Sequence, residues 1–222
     1  MAPSGFSASD LEAVRQAVVA AEGESCGEIV PYVVPASDPY PDAAWKGAAF
    51  GAMTAALAAW AVHRWAGSWG GQLLFWMVLP PAAGGALALL AVHLAPPLRR
   101  WLAGAELIDR RTRQRAAAAF VEQEVFRTAG RTGILIFLSL FERRVVVLAD
   151  SGIHARVADG EWDAMVARIV EGIRRGDPGA ALAAAIRDGG ELLVRHGLRH
   201  PAGREDEPGD HLGDELRQGG ES

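Results

Sequence analysis

Cys26 is the one cysteine in the 222-residue sequence. With no second thiol there is no intramolecular disulfide, and with no histidine nearby Cys26 is not a metal site. It reads as a small buried hydrophobe. A large excess of either charge is lacking too: 22 Lys and Arg against 27 Asp and Glu give a net charge of −5. That mixed balance excludes the strongly basic face by which nucleic-acid binders are recognised, so no nucleic acid is expected as a partner. No Ser-His-Asp arrangement, His-x-x-x-His pair or phosphate-cradling glycine loop is present, and standard hydrolase templates gain no support.

The largest absence is regional. Between Gly47 and Leu94 there is no acidic residue, and only His63, Arg64 and His93 are basic. "GAAFGAMTAALAAWAV" (Gly47 to Val62) and "QLLFWMVLPPAAGGALALLAVHLA" (Gln72 to Ala95) carry no formal charge. A membrane-spanning helix needs about 17–25 mainly apolar residues. The second stretch meets that length. The first does so if Trp45, Trp60 and Trp65 sit at the interfaces, the depth that tryptophan favours and that Trp69 and Trp76 also fit. A very hydrophobic hairpin inside a soluble core is the alternative, but a chain of this size has little other surface to cover two such helices. Pro80 and Pro81 should kink the second helix. Gly47, Gly51, Ala55, Ala58, Ala59, Gly84, Gly85 and Ala88 permit close helix packing.

The connection "HRWAGSWGGQ" is short, so the two spans form a hairpin with both ends on one side. It offers Arg64, whereas the far flank offers Arg99, Arg100, Arg110, Arg111, Arg113 and Arg115. Positive-inside bias then places both termini in the cytoplasm of a multi-pass protein of the inner membrane, with the lipid bilayer as its first partner. The N-terminus, "MAPSGFSASDLEAV", lacks the apolar core of a secretory signal.

The flanks read as one interrupted α/β domain: residues 1–44 and 98–197 around a transmembrane hairpin at 45–97, then a disordered tail at 198–222. Ser7 and Asp10 make a capping box with Phe6 and Leu11 as a staple, and Leu11, Val14, Val18 and Ala21 recur at helical spacing. "EIVPYVV" (Glu28 to Val34) is a strand that Pro31 demotes towards an edge or bulge. "LRRWLAGAELIDRRTRQRAAAAFVEQEVF" has one helical pattern, with Leu102, Leu107, Ala116, Phe120, Val121 and Val125 apolar and arginines opposite. Those arginines meet either anionic headgroups or acidic neighbours such as Glu122 and Glu124. Ile134–Phe141 and Val145–Ala149 are apolar runs too close in sequence to be other than antiparallel neighbours. Their lack of alternation says that helices cover both faces of a mixed sheet. Trp162, Met165, Val166, Ile169 and Ile173 mark one helix ending at Gly176, and Asp177-Pro178 caps the next.

The stretches "DLEAVRQAVVAAEGESCGEI", "TGILIFLSLFERRVVVLADSGI", "WDAMVARIVEGIRRGD" and "GGELLVRHG" together resemble the TPM-domain family. Its members include a thylakoid-lumen acid phosphatase, a cyanobacterial photosystem II repair factor, a nematode protein that modulates acetylcholine receptors, and many bacterial membrane proteins. The resemblance covers nearly all of the chain outside the apolar hairpin and the tail. The hairpin is the departure, since many relatives have one continuous soluble domain. The resemblance implies an α/β sandwich around a mixed sheet and, in some members, acid-phosphatase activity or binding of calcium. The acidic positions that match are Glu28, Glu142 and Asp150.

Asp150 follows a buried strand, where α/β sheets often bind ligands. A carboxylate there can hold Ca²⁺ or Mg²⁺ through oxygen, or attack phosphorus. Asp-Ser-Gly is equally an ordinary turn, and the aspartyl-phosphate motif D-x-D is missing. Glu28, which opens its strand, is the second candidate metal ligand, or else a solvent-facing strand end. Glu142 with Arg143 and Arg144 reads as a charged turn that blunts the sheet, although either arginine could clamp a phosphate. His154 is a candidate acid or base, or simply exposed. Two functions follow: a membrane-tethered accessory or assembly factor that binds another membrane protein, or a Ca²⁺- or Mg²⁺-dependent phosphatase with Asp150 and Glu28 as ligands.

Overall fold

The computed structural model describes residues 6–66, 73–128, 130–199 and 216–219. The chain divides into two compact units: Met1–Asp38 with Arg110–Ser222, and the intervening Pro39–Asp109. The stretch 45–97 lies inside this inserted unit.

The first unit is α/β with a four-stranded mixed sheet. Helix α1 (Ala8–Glu24) starts where the sequence predicts. The Asp10 N–H donates to Ser7 Oγ at 3.1 Å, and the Ser7 N–H donates to Asp10 Oδ2 at 2.7 Å. This reciprocal cap satisfies two otherwise orphaned donors. Strand β1 (Glu28–Val34) pairs in parallel with β2 (Gly133–Ser139), which turns back antiparallel into β3 (Arg144–Ala149). The fourth strand, β4 (Arg217–Gln218), pairs in parallel with Tyr32 and Val33 of β1. The order is β3-β2-β1-β4.

The C-terminal tail and the place of β1 in the sheet differ from expectation. Arg217 and Gln218 belong to the sheet, so the predicted disordered tail does not extend over them; residues 200–215 lie outside the described residues. And β1 is central rather than an edge. Pro31 is tolerated there because main-chain donors alternate along a strand. The Glu28 N–H points towards β2, donating to Thr132 O, whereas the Ile29 N–H points the other way, to Glu22 Oε1 at 2.8 Å. Pro31 shares the orientation of Ile29. Its missing N–H therefore falls on the side that β4 covers only at Tyr32 and Val33.

Both faces of the sheet are covered, as the unbroken apolar runs predict. One face presents Ile29, Val33, Ile134, Ile136 and Leu138 to α1, α7 (Asp163–Arg175) and α8 (Pro178–Arg195). The other presents Val30, Tyr32, Val34, Leu135 and Phe137 to Ala116 and Ala119 of α5 (Ala105–Glu122) and to Val125 beyond it. The helix caps follow the sequence. Gly176 closes α7 in the left-handed region, at φ +83°, and the Asp177 carboxylate accepts the Ala180 N–H ahead of α8.

The inserted unit contains α2 (Pro41–Ala66), α3 (Leu73–Leu94) and α4 (Pro96–Ala103). α2 and α3 pack antiparallel through the predicted small residues. A Cβ placed on Gly51 would meet Ala88 Cβ and the Gly84 carbonyl; one on Gly84 would meet Ala55 Cβ and the Gly51 carbonyl. Only glycine lets these backbones approach so closely. Pro80 and Pro81 stand inside α3, whose helix runs unbroken across them. The Gly-rich connection at 67–72 lies outside the described residues. The helix predicted to follow is split. Gly104, at φ +84°, leaves the helical region and separates α4 from α5. Within α5, Ala116 and Ala119 face inward while Val121 is exposed.

Candidate functional site

Asp150 begins where β3 ends. Its N–H donates to Gly133 O at 2.9 Å, the last rung of the β2–β3 ladder. The chain then turns, and Asp150 becomes the N-cap of a one-turn helix, α6 (Ser151–His154), its Oδ1 accepting the Ser151 N–H at 2.6 Å. The carboxylate is almost wholly buried. Its other oxygen, Oδ2, lies 3.0 Å from Arg131 Nε, as a charge contact without the alignment of a hydrogen bond. Arg131 reaches it from the turn before β2, and the Gly152 N–H holds that turn by donating to Arg131 O at 3.0 Å. The turn reading of "ADSGI" is therefore realised, with a buried carboxylate and an exposed guanidinium added to it.

The second candidate, Glu28, shares a row with Asp150. Glu28 pairs with Gly133 across β1–β2, and Gly133 accepts from Asp150 across β2–β3. Two strand spacings put the Glu28 and Asp150 backbones about 10 Å apart. Gly133 between them has no side chain to interpose. A Cβ there would strike the main-chain carbonyl of Val125, so that carbonyl lies over the middle of the row. Among the described residues no group of three or more His, Cys, Asp and Glu is placed to hold one metal ion.

This row lies at the amino ends of the parallel pair β1–β2, because β3 runs the other way. At the carboxyl ends, the usual ligand side of an α/β sheet, stands a different cluster built around Glu142. Glu142 is no solvated turn residue; it is 5% exposed. Its Oε1 accepts the Ser37 N–H at 2.8 Å, and its Oε2 accepts from Ser139 Oγ. Ser37 Oγ in turn donates to Ser139 Oγ at 2.9 Å. The carboxylate thus ties the segment leaving β1 to the turn leaving β2, a linkage completed by the Leu140 and Phe141 N–H groups donating to Val34 O and Pro35 O. Burial is sustained because both oxygens have donors. Ser37 and Ser139 had no place in the sequence reading. The one signal for them was the spacing Ser139-x-x-Glu142, the same that makes a capping box.

Arg143 and Arg144 are exposed at this carboxyl end, with Arg143 at φ +53°, and so lie across the sheet from Asp150. His154 is exposed at the end of α6. No hydroxyl, thiol or imidazole is hydrogen-bonded to the Asp150 carboxylate among the described residues. The chemistry open to Asp150 is charge pairing and oxygen ligation.

The chain matches no protein-family model and no curated protein sequence. Among solved structures it is similar to the BA42 protein from the psychrophilic bacterium Bizionia argentinensis, with a TM-score of 0.57 at 16% identity, covering 96% of this chain and 95% of that one. A likeness at that identity concerns the fold.

Proposed function

We propose that this is an integral membrane protein, anchored by α2 and α3 as a transmembrane hairpin, whose α/β unit serves in the cytoplasm as a TPM-like accessory, assembly or maintenance factor for a membrane complex. The observation that carries the membrane part is α3. Phe75–Leu94 is, among the described residues, the helix long and apolar enough to cross a membrane, and 6% of it is buried. On α2, Phe50, Met53, Leu57 and Val62 are exposed as well. So much contiguous apolar surface has no place in water. Trp45 and Trp65, both exposed, lie 20 positions apart on α2, about 30 Å at 1.5 Å per residue and close to the hydrocarbon thickness.

The orientation rests on Arg64 in the connection against Arg99, Arg100, Arg110, Arg111, Arg113 and Arg115 beyond it. The test uses a Cys26→Ser background with single cysteines at Ser68 or Ser222 in intact cells. An impermeant maleimide should label Ser68→Cys and spare Ser222→Cys. The reverse pattern would invert the topology, and labelling of both or neither would remove the hairpin. The accessory role predicts a co-purifying membrane protein after crosslinking in mild detergent; recovery of the chain alone under several crosslinkers would end it.

A second reading, a Ca²⁺- or Mg²⁺-dependent phosphatase with Asp150 and Glu28 as ligands, is favoured by their shared row, with the Val125 carbonyl between them. Against it, Arg131 already neutralises Asp150. Thermal shift with either cation separates the cases. A cation-dependent rise lost in Asp150→Asn supports it; no rise and no phosphomonoester turnover dismisses it.

A further inference from the structure

The inserted unit has a groove of about 560 Å³ walled by α2, α3 and α4. That volume lies within the ~300–1,000 Å³ of ligand sites. Phe50, Ala58, Ala91, Val92, Leu98 and Trp101 are among the residues that line it. The hydroxyl in it, Thr54 Oγ1, donates to Phe50 O at 2.8 Å, so its donor is already used within the helix. An apolar wall of this kind suits a hydrocarbon chain.

What surrounds the groove identifies which hydrocarbon. Chain direction changes at Ala95, which is extended at φ −113° and ψ 90°, and Pro96 and Pro97 then start α4. Leu98, Trp101 and Leu102 share the face of α4 that meets the groove, while Arg99 and Arg100 lie off that face. A short amphipathic helix directly after an apolar span is the pattern of one lying at a bilayer surface. Trp45 and Trp101 are exposed at this end of the unit, and tryptophan favours headgroup depth. Lys46 stands beside Gly47, which lines the groove, and its ammonium lies 3.3 Å from Leu102 O, also on the wall. That bond uses one of three ammonium donors, leaving capacity for an anion.

We propose that this groove is a phospholipid site. It takes one acyl chain of an anionic lipid against Ala58, Ala91 and Trp101, with the phosphate held by Lys46. The inference rests on the membrane reading above. A second copy of the chain or a partner helix would fill the same apolar wall, but would place hydrocarbon against a lysine where a lipid places phosphate.

Native mass spectrometry of the full chain, released from membranes into mild detergent and given palmitoyl-oleoyl phosphatidylglycerol or phosphatidylcholine, tests it. The expected result is one retained phosphatidylglycerol per chain, in preference to phosphatidylcholine. Lys46→Gln should weaken that preference about fivefold, the worth of one cation at an anionic surface. Ala58→Phe and, from the opposite wall, Ala91→Leu should remove the retained lipid while leaving the chain folded by circular dichroism. Two such variants guard against one that misfolds. Equal retention of both lipids, retention unaffected by either filling variant, or a dimer peak lost in those variants would overturn the site. Alkaline carbonate extraction separates the premises. A chain that stays in the membrane pellet but keeps no lipid refutes only the site, whereas a chain that is extracted refutes the membrane reading and the site together.

Discussion

Replacing Glu142 by alanine should loosen the α/β unit, although the residue sits in what reads as a charged turn. The substitution removes the acceptor of the Ser37 N–H at 2.8 Å and of the Ser139 hydroxyl, inside a site that is 5% exposed. A hydrogen bond to a charged group contributes about 1.5–3 kcal/mol. The Ser139 hydroxyl keeps Ser37 Oγ as a neighbour at 2.9 Å, so its loss belongs at the low end. The sum is about 3 kcal/mol. The unit comprises residues 1–38 and 110–222, 38 and 113 residues or 151 in all. A urea slope of about 2 kcal/mol per molar suits that size, and the midpoint should fall by about 1.5 M. Glu142→Gln keeps an acceptor for the Ser37 N–H and should lose about half as much. The assay is pulse proteolysis of the full chain across a urea series in mild detergent, following disappearance of the α/β unit. A shift below about 0.5 M for the alanine variant, or equal shifts for alanine and glutamine, would refute the reasoning that the carboxylate ties β1 to β2.

Gly84→Leu should separate α2 from α3, since even its Cβ would meet Ala55 Cβ and the Gly51 carbonyl; overpacking of this kind costs about 1–3 kcal/mol. In a Cys26→Ser background, cysteines at Ala52 and Gly85, whose Cβ atoms would stand 3.4 Å apart, should form a disulfide; adding Gly84→Leu should cut its yield about tenfold, and an unchanged yield would contradict the packing. The Glu161 carboxyl is held below its ordinary value of 4.5, chiefly by the hydrogen bond with His196 Nε2 at 2.8 Å. A carboxyl depressed in the folded chain adds stability above its unfolded value and loses it as pH falls through the folded one. Glu161→Gln should therefore be the less stable protein at neutral pH in thermal denaturation and should converge with the parent below the ordinary carboxyl range. A gap of constant size across that range would disprove the linkage.

The strands and caps were legible because their causes are local. Glu28–Val34 is apolar and β-branched, Ser7 stands three residues before Asp10, and Asp177 precedes Pro178. What was hidden depends on partners far along the chain. Glu142 looks solvated until the Ser37 N–H, 105 positions away, is brought to it. β4 is two residues long, too short for any period to declare itself. Gly104 lies within an otherwise helical pattern, and a single glycine there is as consistent with a tolerated helical residue as with the break that the backbone makes. Asp150 was legible as a strand end and a turn, and β3 as antiparallel to β2, but the parallel pairing of β1 with β2, and hence the end of the sheet on which Asp150 stands, followed only from the register.

The pairing of Glu28 with Gly133 has a consequence for the order in which the protein is made. β1 leaves the ribosome 105 residues before its neighbour β2, from position 28 to position 133, and the whole inserted unit is synthesised between them. At about 5–20 residues per second, that interval is roughly 5–20 s. Throughout it, a strand of seven residues with six buried in the finished fold has neither of its sheet partners. β4, the other partner, emerges last of all. The sheet of the α/β unit is thus completed late, after an interval in which an apolar strand has no strand to pair with.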